Sequence, residues 1–112
     1  MTIQNRIQEA LRAMEEKPDL HAKATKLNES VEKLITEQLV AHLGEIDKQM
    51  SEYDKHDASH SERVLLNIEQ LLRDDGIQAL SFLEALTLRL CCYLHDAGMI
   101  LPECYVPLMQ KI

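Results

Sequence analysis

Apolar residues recur at steps of three and four along most of this chain, and this spacing is the feature that most constrains its fold. The series begins with Ile3, Ile7, Leu11 and Met14. Residues at such spacing lie on one face of an α-helix. Signals for turns and strands are scarce, because the 112 residues include only 3 Gly, 3 Pro and 4% aromatic side chains. The pattern predicts an all-α protein, a bundle of about four helices.

The first two predicted helices occupy residues 1–50. The first ends before Lys17 and Pro18, and the second runs from about residue 20 to residue 50. An unbroken second helix is roughly 45 Å long at about 1.5 Å per residue, which exceeds what a compact bundle of this size needs. We therefore expect a break at Gly44 or at residues 28–30, or packing against another chain. Residues 1–50 are predicted to be N-terminal amphipathic helices with a possible oligomeric or interdomain contact.

The third and fourth helices each follow a predicted capping box. Ser59 and Glu62 form the first box, and Ser81 and Glu84 form the second. Residues 51–58 before the first box break the apolar pattern and indicate a polar loop. The third helix is predicted from about residue 60 to residue 73 and the fourth from about residue 82 to residue 96. Because their connection is short, the two helices should pack antiparallel.

The fourth helix is apolar on nearly every side. Such a helix is expected to be buried on most of its surface. We expect Leu86 and Leu90 in particular to be fully buried.

A cluster of metal-binding side chains is predicted at one end of this helical hairpin. His60 opens the third helix, and His95 closes the fourth, with Asp96 next to it. Neighbouring residues on a helix diverge by about 100°, so His95 and Asp96 can converge on one ion only where the helix ends. Gly98 is expected to end it there. Imidazole and carboxylate ligands suit a divalent transition metal. These residue types do not distinguish among Mn, Fe, Ni, Co and Zn.

Each proposed ligand has an ordinary structural alternative. His60 can be a polar residue that opens a helix, His95 a histidine at the edge of the core, and Asp96 a solvated carboxylate. The other two histidines outside the polar loop, His21 and His42, lie among charged positions far from this cluster. For both we expect solvent exposure.

Two segments resemble a known family. They are residues 53–65, YDKHDASHSERVL, and residues 90–99, LCCYLHDAGM. Together they resemble the HD metal-dependent phosphohydrolase superfamily, and most of all the variant at the front of large proteins that also contain a GHKL-type ATPase region. The superfamily pattern has a His on one helix, a His-Asp pair on a later helix and a final Asp far downstream. His60, His95 and Asp96 match the first three.

The resemblance implies that residues 51–112 are the first half of an HD-type metal-binding domain with an HD-like helical fold. No Asp follows Asp96, and Glu103 is the only later residue with a carboxylate side chain. The final ligand therefore has no counterpart in the chain. We favour a fragment of a longer protein over a natural short protein that has lost catalysis.

The resemblance also implies hydrolysis of a phosphoester, in a nucleotide or another phosphorylated small molecule. Within this hypothesis the catalytic candidates are Asp96, His56 and Lys55. His56 is either a second ligand or substrate-side group, or an ordinary loop residue. Neighbours in sequence that could act as a base, hold a second metal or offset phosphate charge are Asp54, Asp57 and Arg63.

The competing hypothesis is a non-catalytic helical interaction or regulatory module with a degenerate HD motif. The missing fourth ligand and the long second helix favour it. The expected partner is a phosphorylated small molecule or nucleotide, and a second copy of the chain or the ATPase region of a longer parent chain are further candidates.

Charge, hydropathy and cysteine content disfavour three further classes of protein: nucleic-acid binders, membrane-spanning proteins and cysteine-based zinc proteins. The net charge of −7 disfavours binding to a nucleic-acid backbone. No stretch approaches the ~18 apolar residues that a membrane span requires. Cys91, Cys92 and Cys104 lack the C-x-x-C spacing of zinc or redox sites, so a zinc site built from them is disfavoured. We expect reduced thiols in a cytoplasmic protein.

Overall fold

The computed structural model describes residues 1–49, 57–95 and 97, nearly all of them helical. The elements are α1 (Ile3–Ala13), α2 (Pro18–Lys33), a π-helical segment (Leu34–Leu39), α3 (Val40–Gln49), α4 (Ala58–Gln78) and α5 (Phe82–Leu94). Because α2, the π-helical segment and α3 follow one another without a gap, they form one long rod. The predicted all-α bundle of about four helices is confirmed, and the described residues contain no strand.

The first helix begins and ends where the sequence pattern places it. The hydroxyl of Thr2 accepts a hydrogen bond from the backbone N–H of Asn5 at 3.0 Å, which caps the helix. Ile3 and Ile7 are fully buried, and α1 packs mainly on α5. Pro18 then opens α2, where the missing N–H of proline costs nothing.

The long rod is interrupted by a π-helical turn, and not at either of the expected positions. Residues 28–30 lie inside α2 and Gly44 lies inside α3, so both predicted breaks are wrong. The buried residues of this stretch are spaced by four, as Val31, Ile35, Leu39 and Leu43. A π turn holds more residues than an α turn, since its hydrogen bonds join residues i and i+5. The π-helical segment therefore keeps residues that are four apart on the same buried face.

The start of α4 corrects one prediction. Asp57, not Ser59, is the N-cap residue, and the helix already begins at Ala58. The predicted capping box of Ser59 and Glu62 was therefore wrong, because it placed the N-cap two residues too late. Asp and Ser are about equally favoured as N-cap residues, so the sequence did not distinguish the two positions. Near the other end, Arg73 has φ 60° and ψ 176°, which breaks the helix close to its expected end at residue 73.

The last helix has the predicted capping box but less burial than predicted. The Ser81 hydroxyl accepts from the backbone N–H of Glu84, and the Glu84 carboxylate accepts from that of Ser81. Leu86 is buried as expected, whereas Leu90 is only partly buried. The expectation of burial on most sides is wrong, because Leu83 is 60% exposed. One side of α5 meets the core, and the other is open.

A single hydrophobic core joins the N-terminal helices to the last one. Its buried residues come from α1, the long rod and α5, while α4 adds partly buried Leu65 and Ile68. An ion pair of 2.8 Å between Arg89 of α5 and Glu32 of α2 ties two of these elements together at the surface. None of the described helices is both long and apolar enough to cross a membrane.

Candidate metal centre

His60 is held at the start of α4 by the N-cap. One oxygen of the Asp57 carboxylate, Oδ1, accepts hydrogen bonds from the backbone N–H groups of Ser59 at 3.1 Å and His60 at 3.3 Å. The same oxygen accepts from the Ser59 hydroxyl at 2.6 Å. The backbone that carries the His60 imidazole is therefore fixed from the residue that precedes the helix. Asp57, one of the residues proposed as a base, therefore holds the backbone of His60 in place as the N-cap of α4.

His95 is held at the end of α5 by two hydrogen bonds within its own chain turn. Its backbone N–H donates to the carbonyl of Cys91 at 3.0 Å. Its ring nitrogen Nδ1 lies 2.6 Å from the carbonyl oxygen of Cys92. Because a carbonyl oxygen only accepts, Nδ1 must carry the proton. A neutral His95 then has its lone pair on Nε2, which is the arrangement that metal-binding histidines commonly show.

The two imidazoles come together at one end of the bundle. The centres of the His60 and His95 rings are 5.5 Å apart, with the ring planes inclined by 42°. Two imidazoles that share one ion, each with its nitrogen about 2.1 Å from the metal, have ring centres about 5 Å apart. The observed separation is close to this distance. It also confirms the expected geometry, because α4 and α5 must run antiparallel to bring these two residues together.

The other predicted site residues lie outside the described residues. These are Asp96, His56 and Lys55, together with Asp54 and Glu103. Within residues 1–49, 57–95 and 97, no group of three His, Cys, Asp or Glu side chains could hold a metal ion. The described part of the site is thus a pair of histidines, and any third ligand remains a prediction.

His42 is the residue of this region that sequence reasoning missed. It was expected to be solvent-exposed, but it is half-buried, and its Nε2 lies 2.7 Å from the carbonyl oxygen of Ala97. His21 is likewise half-buried, so the expectation of exposure is wrong for both histidines. The available signal was the position of His42 between the buried Leu39 and Leu43, at the edge of an apolar helix face.

The cysteines of α5 do not supply a metal site in the described residues. Cys91 is exposed, whereas its neighbour Cys92 is buried, and neither forms a disulfide. Burial raises the pKa of the Cys92 thiol, and the adjacent Cys91 raises it further. A thiol with a raised pKa stays protonated at neutral pH and is a poor ligand.

Two of the surface grooves of the described residues are relevant here, one on the first turns of α4 and one at the start of α5. The first, of about 500 Å³, is lined by Ser59, Glu62, Arg63 and Leu66 on the first turns of α4. The second, of about 400 Å³, lies at the opposite end of α5 from His95. It is predominantly apolar and is lined by residues that include Leu20, Leu27, Phe82 and Leu83.

The helical hairpin with one histidine at the start of one helix and another at the end of the next defines an HD-like domain. The profile of the HD-CE family matches residues 50–106, just over half of the chain. The chain belongs to the HD-CE family. Comparison with curated proteins and with solved structures gives no significant match.

Proposed function

We propose that this chain is part of an HD-type metal-dependent phosphohydrolase, acting on a nucleotide or another phosphoester. His60, His95 and Asp96 would hold one divalent transition metal, of the set Mn, Fe, Ni, Co and Zn. The observation that best supports this is the 5.5 Å separation of two imidazoles, one of them with its Nδ1 proton donated to Cys92. Membership of an HD-like family supports the same class of chemistry.

When bound, the metal would lower the pKa of its water to about 7 and polarise a phosphoryl oxygen. The protein's own part is to hold the ligands in place beforehand. Asp57 fixes the backbone of His60, and the Cys92 carbonyl fixes the ring of His95. Such outer contacts set the orientation and basicity of metal ligands.

The phosphate of the substrate would lie in the groove on the first turns of α4, close in sequence to His60. Arg63 and Ser59 line this groove together with Glu62, and the guanidinium of Arg63 matches phosphate oxygens in geometry and charge. Lys55 and His56 precede α4 in sequence and are further candidates for contacts with the phosphate or for proton transfer.

Turnover requires a ligand beyond these three, because the HD pattern ends with an aspartate that has no counterpart after Asp96. We propose that a longer parent chain, with a GHKL-type ATPase region, supplies it in the cytoplasm. The isolated 112-residue chain should then bind metal weakly and show little or no hydrolysis.

The test is the metal bound by the chain in equilibrium dialysis against Mn²⁺ or Zn²⁺, which retains weakly bound ions, together with phosphodiesterase and nucleotidase assays. We expect His95→Ala to lose the bound metal, whereas His21→Ala keeps it, since His21 lies on α2 outside the proposed site. The same pair of variants in a longer parent chain tests hydrolysis. Equal metal content in wild type and His95→Ala would refute the metal site.

The second candidate function is a non-catalytic interaction module. Its specific support is the apolar groove at the start of α5, where Leu20, Leu27 and Leu83 are 48%, 42% and 60% exposed. Exposed apolar groups that cluster around a groove are typical of contact surfaces. This candidate would replace the enzyme hypothesis if neither the chain nor a longer parent binds a divalent metal.

A further inference from the structure

We propose that His42 is a positioning residue for the candidate metal centre, because it ties the turn after His95 to the long rod. This inference rests on the proposed function, since it concerns the same site. The sequence gives no reason to connect the two, because 55 positions separate His42 from the residue it contacts.

The contact is a single, well-defined hydrogen bond. Nε2 of His42 lies 2.7 Å from the carbonyl oxygen of Ala97. The carbonyl can only accept, so the imidazole donates through Nε2–H. His42 itself is anchored, because the adjacent Leu43 on α3 is fully buried in the core. The donor therefore sits on a rigid helix.

The acceptor lies in the turn that carries the proposed ligands. The backbone N–H of Ala97 donates to the carbonyl of Leu94 at 2.9 Å, and its carbonyl accepts from His42. Both polar backbone groups of Ala97 are thus engaged. The backbone N–H of His95 donates to the carbonyl of Cys91. Asp96 lies between His95 and Ala97 in the sequence, so both of its neighbours are held by hydrogen bonds.

The consequence is that His95 and Ala97, the two described residues beside Asp96, are held by hydrogen bonds before any metal binds. Metal sites bind weakly when their ligands must be ordered on binding, and contacts that orient ligands are worth about 10- to 100-fold in affinity. The small Ala97 makes no side-chain hydrogen bond that could orient the turn. The bond from His42 reaches this turn from 55 positions away in the sequence.

The test compares two substitutions of similar size. His42→Gln keeps an N–H donor near the position of Nε2, whereas His42→Leu removes the donor but keeps an apolar body. In the metal-free chain, NMR should show a changed Ala97 carbonyl shift and faster exchange of the Ala97 amide in His42→Leu, and near wild-type values in His42→Gln.

Metal affinity is the second measurement, with Co²⁺ as the probe because its visible spectrum reports coordination. We expect His42→Leu to raise the dissociation constant for Co²⁺ by about 10- to 100-fold. His42→Gln should keep most of the wild-type affinity. Urea unfolding of both variants controls for stability. If His42→Leu folds poorly, His42→Asn replaces it, because its shorter amide does not reach Ala97.

The outcomes separate this inference from the proposed function. A wild-type chain that binds no Co²⁺ refutes the metal site, and the role of His42 falls with it. A wild-type chain that binds Co²⁺ no better than His42→Leu refutes only the role of His42. Equal losses in His42→Leu and His42→Gln would also refute it, because the donor would then not be the group that matters.

Discussion

The imidazole rings of His60 and His95 lie with their centres 5.5 Å apart, although 35 positions separate the two residues in sequence. The pair is brought together by two helices that pack antiparallel, one of which begins beside His60 and the other of which ends beside His95. The backbone N–H of His60 donates to the Asp57 carboxylate, and the ring of His95 is hydrogen-bonded through Nδ1 to the Cys92 carbonyl. A pair held in this way needs little reorganisation to bind an ion.

The side of α5 that faces the core should dominate the stability of the bundle. Leu86 is 4% exposed, and Leu83, on the same helix, is 60% exposed. We expect Leu86→Ala to lower the free energy of unfolding by about 2 to 5 kcal/mol, through lost burial and the cavity left behind. Leu83→Ala should change it by about 0.5 kcal/mol or less. Urea unfolding measures both, and equal effects would mean that α5 packs differently.

The break in α4 stores backbone strain at Arg73. Its φ of 60° with ψ of 176° is a combination that glycine adopts without a steric penalty. Relief of the strain should outweigh the greater chain entropy of glycine, so we expect Arg73→Gly to stabilise the protein by about 1 kcal/mol. Arg73→Ala removes the same side chain but keeps the strain, and it should be close to neutral. A thermal midpoint that falls in Arg73→Gly would contradict this.

The capping box of α5 should make stability depend on acid pH. The pKa of Glu84 is lowered, mainly by the hydrogen bond from the backbone of Ser81 and then by its side chain. A carboxyl with a lowered pKa stabilises the fold above its unfolded pKa, and this contribution is lost as the pH falls through the folded value. Glu84→Gln should therefore lower the thermal midpoint at pH 7 but not near pH 3. A difference that is constant with pH would exclude this role.

The sequence predicted the helices well, because their signals are local. The apolar spacing of Ile3, Ile7 and Leu11 and the pairing of Ser81 with Glu84 each depend on residues within one or two turns. The π-helical segment was not predicted. It follows from the alignment of residues spaced by four against neighbouring helices, which is a tertiary effect.

Only part of the candidate site was predicted, because only part of it follows from local sequence signals. The approach of His60 to His95 follows from two helices of matched length and a short connection, all of which can be recognised in the sequence. The contact of His42 with Ala97 joins α3 to the turn after α5, and no local pattern encodes a partner 55 positions away. The exposure of Leu83 could not be predicted either, since an apolar helix carries no signal for which side stays uncovered.

The number of imidazole ligands on a bound ion tests the shared metal site most directly, and X-ray absorption on the chain at saturating Zn²⁺ measures it. A shared site predicts two imidazole nitrogens at about 2.0 to 2.1 Å from the zinc. We expect one imidazole nitrogen on the zinc in His60→Ala, one in His95→Ala, and two, as in the wild type, in His21→Ala. The same imidazole count in wild type and in either site variant, or no bound zinc in the wild type, would contradict the claim that His60 and His95 share a metal ion.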